Sequence, residues 1–255
     1  MKRKITQYLI STFLLSWVSW GIIAIAGVLQ INWLTYGKPV GLILFIIGGI
    51  SPAICEIILQ KRNSRKDEFR EFIKNVISIK HSIWIYLYAI GGALLIQLLP
   101  VLIGYSTISQ PLYLGFLMII PMIIGGGLEE IGWRGLLQPE LESKFSHWMS
   151  TLIVSIIWAF WHLPLWFIDG SNQQNMNFGW FSINAVMLSF FIGSVRYIYG
   201  SIFMAILAHA SINAFWVVIE PTDNIMVSII LMSMVSAFTL VIDYLVKKKE
   251  IDKVI

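Results

Sequence analysis

Eight runs of about 20 apolar residues follow one another along this chain, and that repetition limits its fold more than any other feature. A helix of roughly 20 residues crosses the ~30 Å hydrocarbon core of a bilayer. We read the runs at 8–28, 40–60, 83–104, 112–132, 148–168, 178–195, 201–219 and 226–245. Composition excludes the alternative of one soluble core. Of 255 residues, 57% are hydrophobic and 13% charged, and the mean hydropathy is +0.77. A water-soluble domain of that length needs far more polar surface. The expected fold class is therefore all-α, a polytopic membrane helix bundle of about eight transmembrane helices, since lipid offers backbone groups no partner outside a helix.

The cations orient the bundle. Lys and Arg near span ends are retained on the cytoplasmic side. With the N-terminus inside, the inner segments hold 17 of the 18 basic residues, from Lys2, Arg3 and Lys4 through the 61–80 loop, Lys144 and Arg196 to Lys247, Lys248, Lys249 and Lys253. Only Lys38 falls outside. An odd span count would put the Lys247–Lys249 cluster on the wrong side, so both termini are expected in the cytoplasm of a multi-pass cell-membrane protein. Topogenic charge and attraction to anionic lipid account for the net charge of +4. No nucleic-acid partner is expected, because the cations sit at span ends rather than on one folded face. The first run is too long for a signal-peptide core and reads as an uncleaved span. Cys55 is the single cysteine, a small buried hydrophobe that excludes an intrachain disulfide. Within 61–80, Phe69, Phe72, Ile73 and Val76 recur at helical spacing, which predicts an amphipathic helix on the inner leaflet, with a solvated loop as the alternative.

Ionisable groups at membrane depth cost several kcal/mol unless they have a partner or a task. His81 and His147 fall at span borders and are expected to be interfacial. Three later segments carry the remaining candidates. Gly125-Gly126-Gly127-Leu128-Glu129-Glu130-Ile131-Gly132-Trp133-Arg134 places Glu130 and Arg134 four apart, so carboxylate and guanidinium share a helix face and can neutralise each other. Glu129 is turned about 100° away and stays free to take and release a proton. Low dielectric favours that exchange near neutrality for a carboxylate, as general-base chemistry requires. Trp158-Ala-Phe-Trp-His162-Leu-Pro164 sets an aromatic one turn before an imidazole. His209-Ala-Ser-Ile-Asn213 projects imidazole and amide from one face, a donor pair suited to an oxyanion. Ion pairing at an interface and hydrogen bonding between helices are the bland alternatives for each alone. The conjunction is harder to explain by packing. The first three spans carry few interior polar groups, so 1–110 reads as scaffold and 111–255 as the catalytic core of one continuous membrane domain.

The set Glu-Glu-x-x-x-Arg, aromatic-x-x-x-His and His-x-x-x-Asn resembles the motifs of the CPBP family, the CAAX prenyl endopeptidases and their bacteriocin-processing and self-immunity (Abi) relatives. The motifs come in family order between Glu129 and Asn213. Trp158 stands where the family usually has Phe. The resemblance implies an intramembrane endopeptidase with a cavity open to the cytoplasm, acting on a peptide or membrane-protein substrate such as a bacteriocin or pheromone precursor. By motif position, Glu129 would activate water, and His162 would orient that water or protonate the leaving amine. His209 and Asn213 would form the oxyanion hole, while Glu130 and Arg134 would fix the geometry. No cofactor is the preferred reading. Zinc is the alternative, held by Glu129, His162 and His209 with water in the fourth place, although the His-Glu-x-x-His arrangement is absent. A small-solute transporter and a non-catalytic immunity or scaffold protein are the rival functions.

Overall fold

The structure, a computed structural model, describes residues 2–222 and 224–251. Lys253, counted above among the inner cations, lies outside them. Eleven helices follow in order: α1 (Lys2–Val28), α2 (Pro39–Gly49), α3 (Ser51–Asn63), α4 (Lys66–Ile77), α5 (Ile83–Leu102), α6 (Leu112–Ile124), α7 (Gly127–Glu142), α8 (His147–Trp161), α9 (Phe178–Tyr199), α10 (Ile202–Trp216) and α11 (Ile225–Ile251). No strand occurs among the described residues, only an isolated bridge between Ile108 and Ile219. The all-α bundle expected from hydropathy is what forms.

The span count is less regular than the sequence suggests. Five helical segments are long and apolar enough to cross a bilayer alone. Two more spans arise only if bent pairs are joined, α2 with α3 at 56° and α6 with α7 at 44°. The expected seventh run is the short α10, 15 residues long. Length is not required of it, because α10 is sheathed by neighbours and buries twelve of those residues. Its backbone meets helix rather than lipid, so bilayer thickness does not set its length.

Packing gives the bundle two ends. At one, Lys4 pairs with Glu140 at 3.7 Å, and the Asn75 amide clamps the α9–α10 turn. Its Nδ2 donates to the Gly200 carbonyl at 3.1 Å, and its Oδ1 accepts from the Ile202 N–H at 2.7 Å. At the other end the Ser109 N–H donates to the Val218 carbonyl at 2.9 Å and the Glu220 N–H to the Thr107 carbonyl at 3.0 Å. The N-terminus of α1, α4 and the C-terminal part of α11 belong to the first end. The 29–38, 103–111, 168–177 and 217–224 connections belong to the second.

α4 is the helix that the 61–80 periodicity predicts. The Arg65 N–H donates to Glu68 at 3.0 Å, and the Arg65 guanidinium adds a second bond; together they hold the Glu68 carboxyl below the usual carboxylate range. Phe72 and Val76 pack beside Ile202 and Ile206. His147 is the first residue of α8, at the span border where it is expected. It is nearly buried, with Nδ1 2.7 Å from Glu142 and Nε2 3.1 Å from Asp243, and so ties α8 to α11. Cys55 is buried, as expected.

Candidate active site

Everything at the site turns on where the fourth span breaks. α6 ends at Gly125, and Gly126 takes φ +150°, ψ −40°, a conformation that side chains rarely adopt. A Cβ at Gly126 would also strike the Asn213 amide and come within 3.1 Å of His209 Nε2. Glycine is needed there twice over. The chain then resumes as one 3₁₀ turn, Gly127–Glu129, a short α turn, and a π turn, Trp133–Leu137. Such widened turns frequently occur at functional sites. At Gly132, an added Cβ would run into the Tyr8 hydroxyl and the Pro52 carbonyl, so the second segment lies hard against α1 and α3.

Glu130 and Arg134 form the ion pair that their spacing predicts, at 3.0 Å, with both side chains wholly buried. Two further partners complete it. Arg134 Nη2 donates to the Ser189 hydroxyl at 2.7 Å, and His209 Nδ1 lies 2.7 Å from the other Glu130 oxygen. Glu130 is thus shared by a guanidinium and an imidazole. Both of its oxygens are engaged inside the protein.

Glu129 faces the other way, as the 100° rotation requires. Its Oε2 accepts from the Trp158 indole N–H at 2.6 Å, and the residue is 6% exposed. The indole stands between the two histidines, with ring centroids 5.2 Å from His162 and 5.4 Å from His209, edge-on to both. His162 Nδ1 donates to the Trp158 carbonyl at 2.8 Å, because a carbonyl can only accept. Its Nε2 in the neutral tautomer is then a lone-pair acceptor. Asn213 Nδ2 donates one hydrogen to the Gly125 carbonyl at 3.0 Å and retains another. Glu129, Trp158, His162, His209 and Asn213 all line one cavity of about 360 Å³.

The predicted residues therefore converge. Sequence reasoning missed Ser189, whose signal as one serine in an apolar helix is indistinguishable from a packing residue. It also missed Trp20, Tyr36 and Phe45, which wall the cavity from the first two spans and the connection between them. Trp20 Nε1 donates to the Phe45 carbonyl at 3.0 Å, bracing α1 against α2. The part read as scaffold supplies a wall of the site.

Two expectations cannot both hold in this fold. Tyr36, Gln173 and Trp216 carry the cavity on into a second one, lined also by Asn172, Met176 and Pro221. Those residues lie at the end of the bundle opposite the N-terminus and the α11 C-terminus. A mouth facing the cytoplasm is incompatible with cytoplasmic termini.

The predicted zinc ligands Glu129, His162 and His209 all line the cavity. Among the described residues no group of three or more His, Cys, Asp or Glu is arranged to hold a metal ion. Nδ1 of each histidine is already committed to Glu130 or to a carbonyl.

A family model described as Type II CAAX prenyl endopeptidase Rce1-like matches residues 111–215, which hold all three motifs. The chain is also 26% identical over 182 residues to CAAX prenyl protease 2 of Methanococcus maripaludis, an alignment covering 66% of this chain and 65% of that protein. Across all three motifs the chain is similar to the CPBP family. It spans about two thirds of the length of its curated relative. Within the CPBP match, the region that carries the motifs is the region that forms the cavity, from α6 to α10. The stretch before it, which includes Trp20 and Tyr36, lies outside the family model.

Proposed function

We propose that this protein is an intramembrane endopeptidase that hydrolyses a peptide bond with water activated by Glu129. One observation carries the reading: of two adjacent buried carboxylates, Glu130 is engaged by Arg134 and His209, whereas Glu129 accepts from the Trp158 indole N–H at a cavity wall. The first arrangement is architectural. The second is that of a base kept available.

The chemistry balances on the side chains present. Water bound between Glu129 and the free Nε2 of His162 loses a proton to Glu129 as its oxygen bonds to the substrate carbonyl carbon. The carbonyl π electrons move to oxygen, giving a tetrahedral oxyanion. The spare N–H of Asn213 faces it, and His209 Nε2 adds a second donor when protonated against Glu130. The intermediate collapses by breaking the C–N bond, and the proton on Glu129 passes to the departing nitrogen. Positioned base catalysis is worth about 10²–10⁴-fold in rate, and each oxyanion donor roughly 2.7–4 kcal/mol. Processing of small peptide precursors, including bacteriocins or pheromones, is the role we assign to it.

The test is cleavage of a membrane-delivered peptide by purified protein. Glu129→Gln should abolish turnover with thermal unfolding unchanged. Turnover surviving in that variant would remove the base and favour a binding or immunity role. A comparison of membrane peptides with and without an active copy would then identify the substrate.

A further inference from the structure

The cavity and its vestibule lead to one end of the bundle, and the positive charges lie at the other. Besides Tyr36, Gln173 and Trp216, the vestibule takes in Asn172, Met176 and Pro221, from connections that link span ends far from α4. Neither cavity has a Lys or Arg among its described lining residues, and Glu129 is the single acid in the two. At the opposite end stand Lys4, Lys61, Arg62, Arg65, Lys66, Arg70 and Lys74, placed by α1, α3 and α4, with Lys144, Lys247 and Lys248. Lys38 alone precedes α2 at the vestibule end. Cations within a few residues of short spans determine which face stays in the cytoplasm. The imbalance leaves the vestibule on the far face.

We infer that the cavity opens to the outer, non-cytoplasmic surface and takes an uncharged, apolar-to-amide stretch of an exported peptide or of an extracytoplasmic membrane-protein segment. The direction of the mouth stands on geometry and charge alone. The substrate class rests on the endopeptidase reading. A charged stretch would shed its hydration against aromatic faces and amides, with no Lys or Arg to meet an anion and only Glu129, already committed as the base, to meet a cation. A free C-terminal carboxylate meets the same obstacle, so the bond cut lies inside a chain rather than next to its terminus.

Thiol labelling in intact cells tests the direction. In a Cys55→Ala background, Asn172→Cys should react with a membrane-impermeant maleimide without permeabilisation. Asn63→Cys, at the other end, should react only after the membrane is opened. The reverse pattern overturns the inference. For substrate class, two reporters carry the same uncharged cleavable segment, one exported and tethered to the outer leaflet, the other cytoplasmic. Loss of the intact exported reporter, abolished by Glu129→Gln, is expected; loss of the cytoplasmic one instead overturns it. If Asn172→Cys labels from outside and neither reporter is cut, the mouth faces outward as inferred, and the endopeptidase reading is what fails.

Discussion

Trp158 and Glu129 lie 29 positions apart, yet the indole N–H of one donates to the carboxylate of the other over 2.6 Å. That bond joins the first motif to the second. It also gives the unusual Trp a task which the family's Phe has no N–H to perform. Trp158→Phe should still cleave, with kcat lowered roughly 10- to 150-fold, since a hydrogen bond to a charged group is worth roughly 1.5–3 kcal/mol. Trp158→Ala should lose far more, because the ring also separates His162 from His209. A wild-type kcat in Trp158→Phe would show that the donor is irrelevant, and equal kcat values in the two variants that the ring is.

The Glu130–Arg134 pair is buried to 0% exposure on both sides. Arg134→Met leaves a carboxylate uncompensated and should destabilise the protein by about 3–5 kcal/mol, read as a lower melting temperature in detergent. Glu130→Gln combined with Arg134→Met should recover part of that loss without restoring cleavage, since His209 loses the carboxylate that orients it. Simple additivity of the two single changes would contradict a shared pair.

Gly126 offers a sharper separation of folding from chemistry. Gly126→Ala combines strain of about 1–3 kcal/mol at positive φ with intrusion on Asn213 and His209. Cleavage should fall by at least ~10²-fold, the scale of one lost oxyanion donor. Circular dichroism should still report a helical bundle. Wild-type turnover in Gly126→Ala would mean that this wall of the cavity is not where the carbonyl sits.

Prolonged chelation should leave turnover unchanged if Glu129 acts on water without a metal. Loss of activity on chelation, restored by zinc and by no other added ion, would replace the proposed mechanism.

Asn75→Ala should act on stability alone. It removes both bonds that clamp the α9–α10 turn, each worth about 0.5–1.5 kcal/mol, and the site is far from Asn75. A lower melting temperature with unaltered kcat and KM is expected.

What periodicity and local spacing encode was legible before any coordinates. The apolar runs foretold the helices, because bilayer thickness and backbone hydrogen bonding leave few other solutions. Two partners four residues apart meet on any helix, so Glu130 could be matched to Arg134, and Glu129 assigned to another face. The asymmetry of Lys and Arg was equally plain, being a count along the chain.

Tertiary structure decided the remainder. That Ser189 completes the Arg134 site, that Trp20 and Tyr36 wall the cavity, and that a sharing imidazole reaches Glu130 from α10 all depend on which helix faces meet. So does the direction of the mouth. A helix presents its whole circumference to the sequence reader, and only close packing with particular neighbours, at breaks such as Gly126, selects which side becomes wall, which becomes lipid surface and which end stays open.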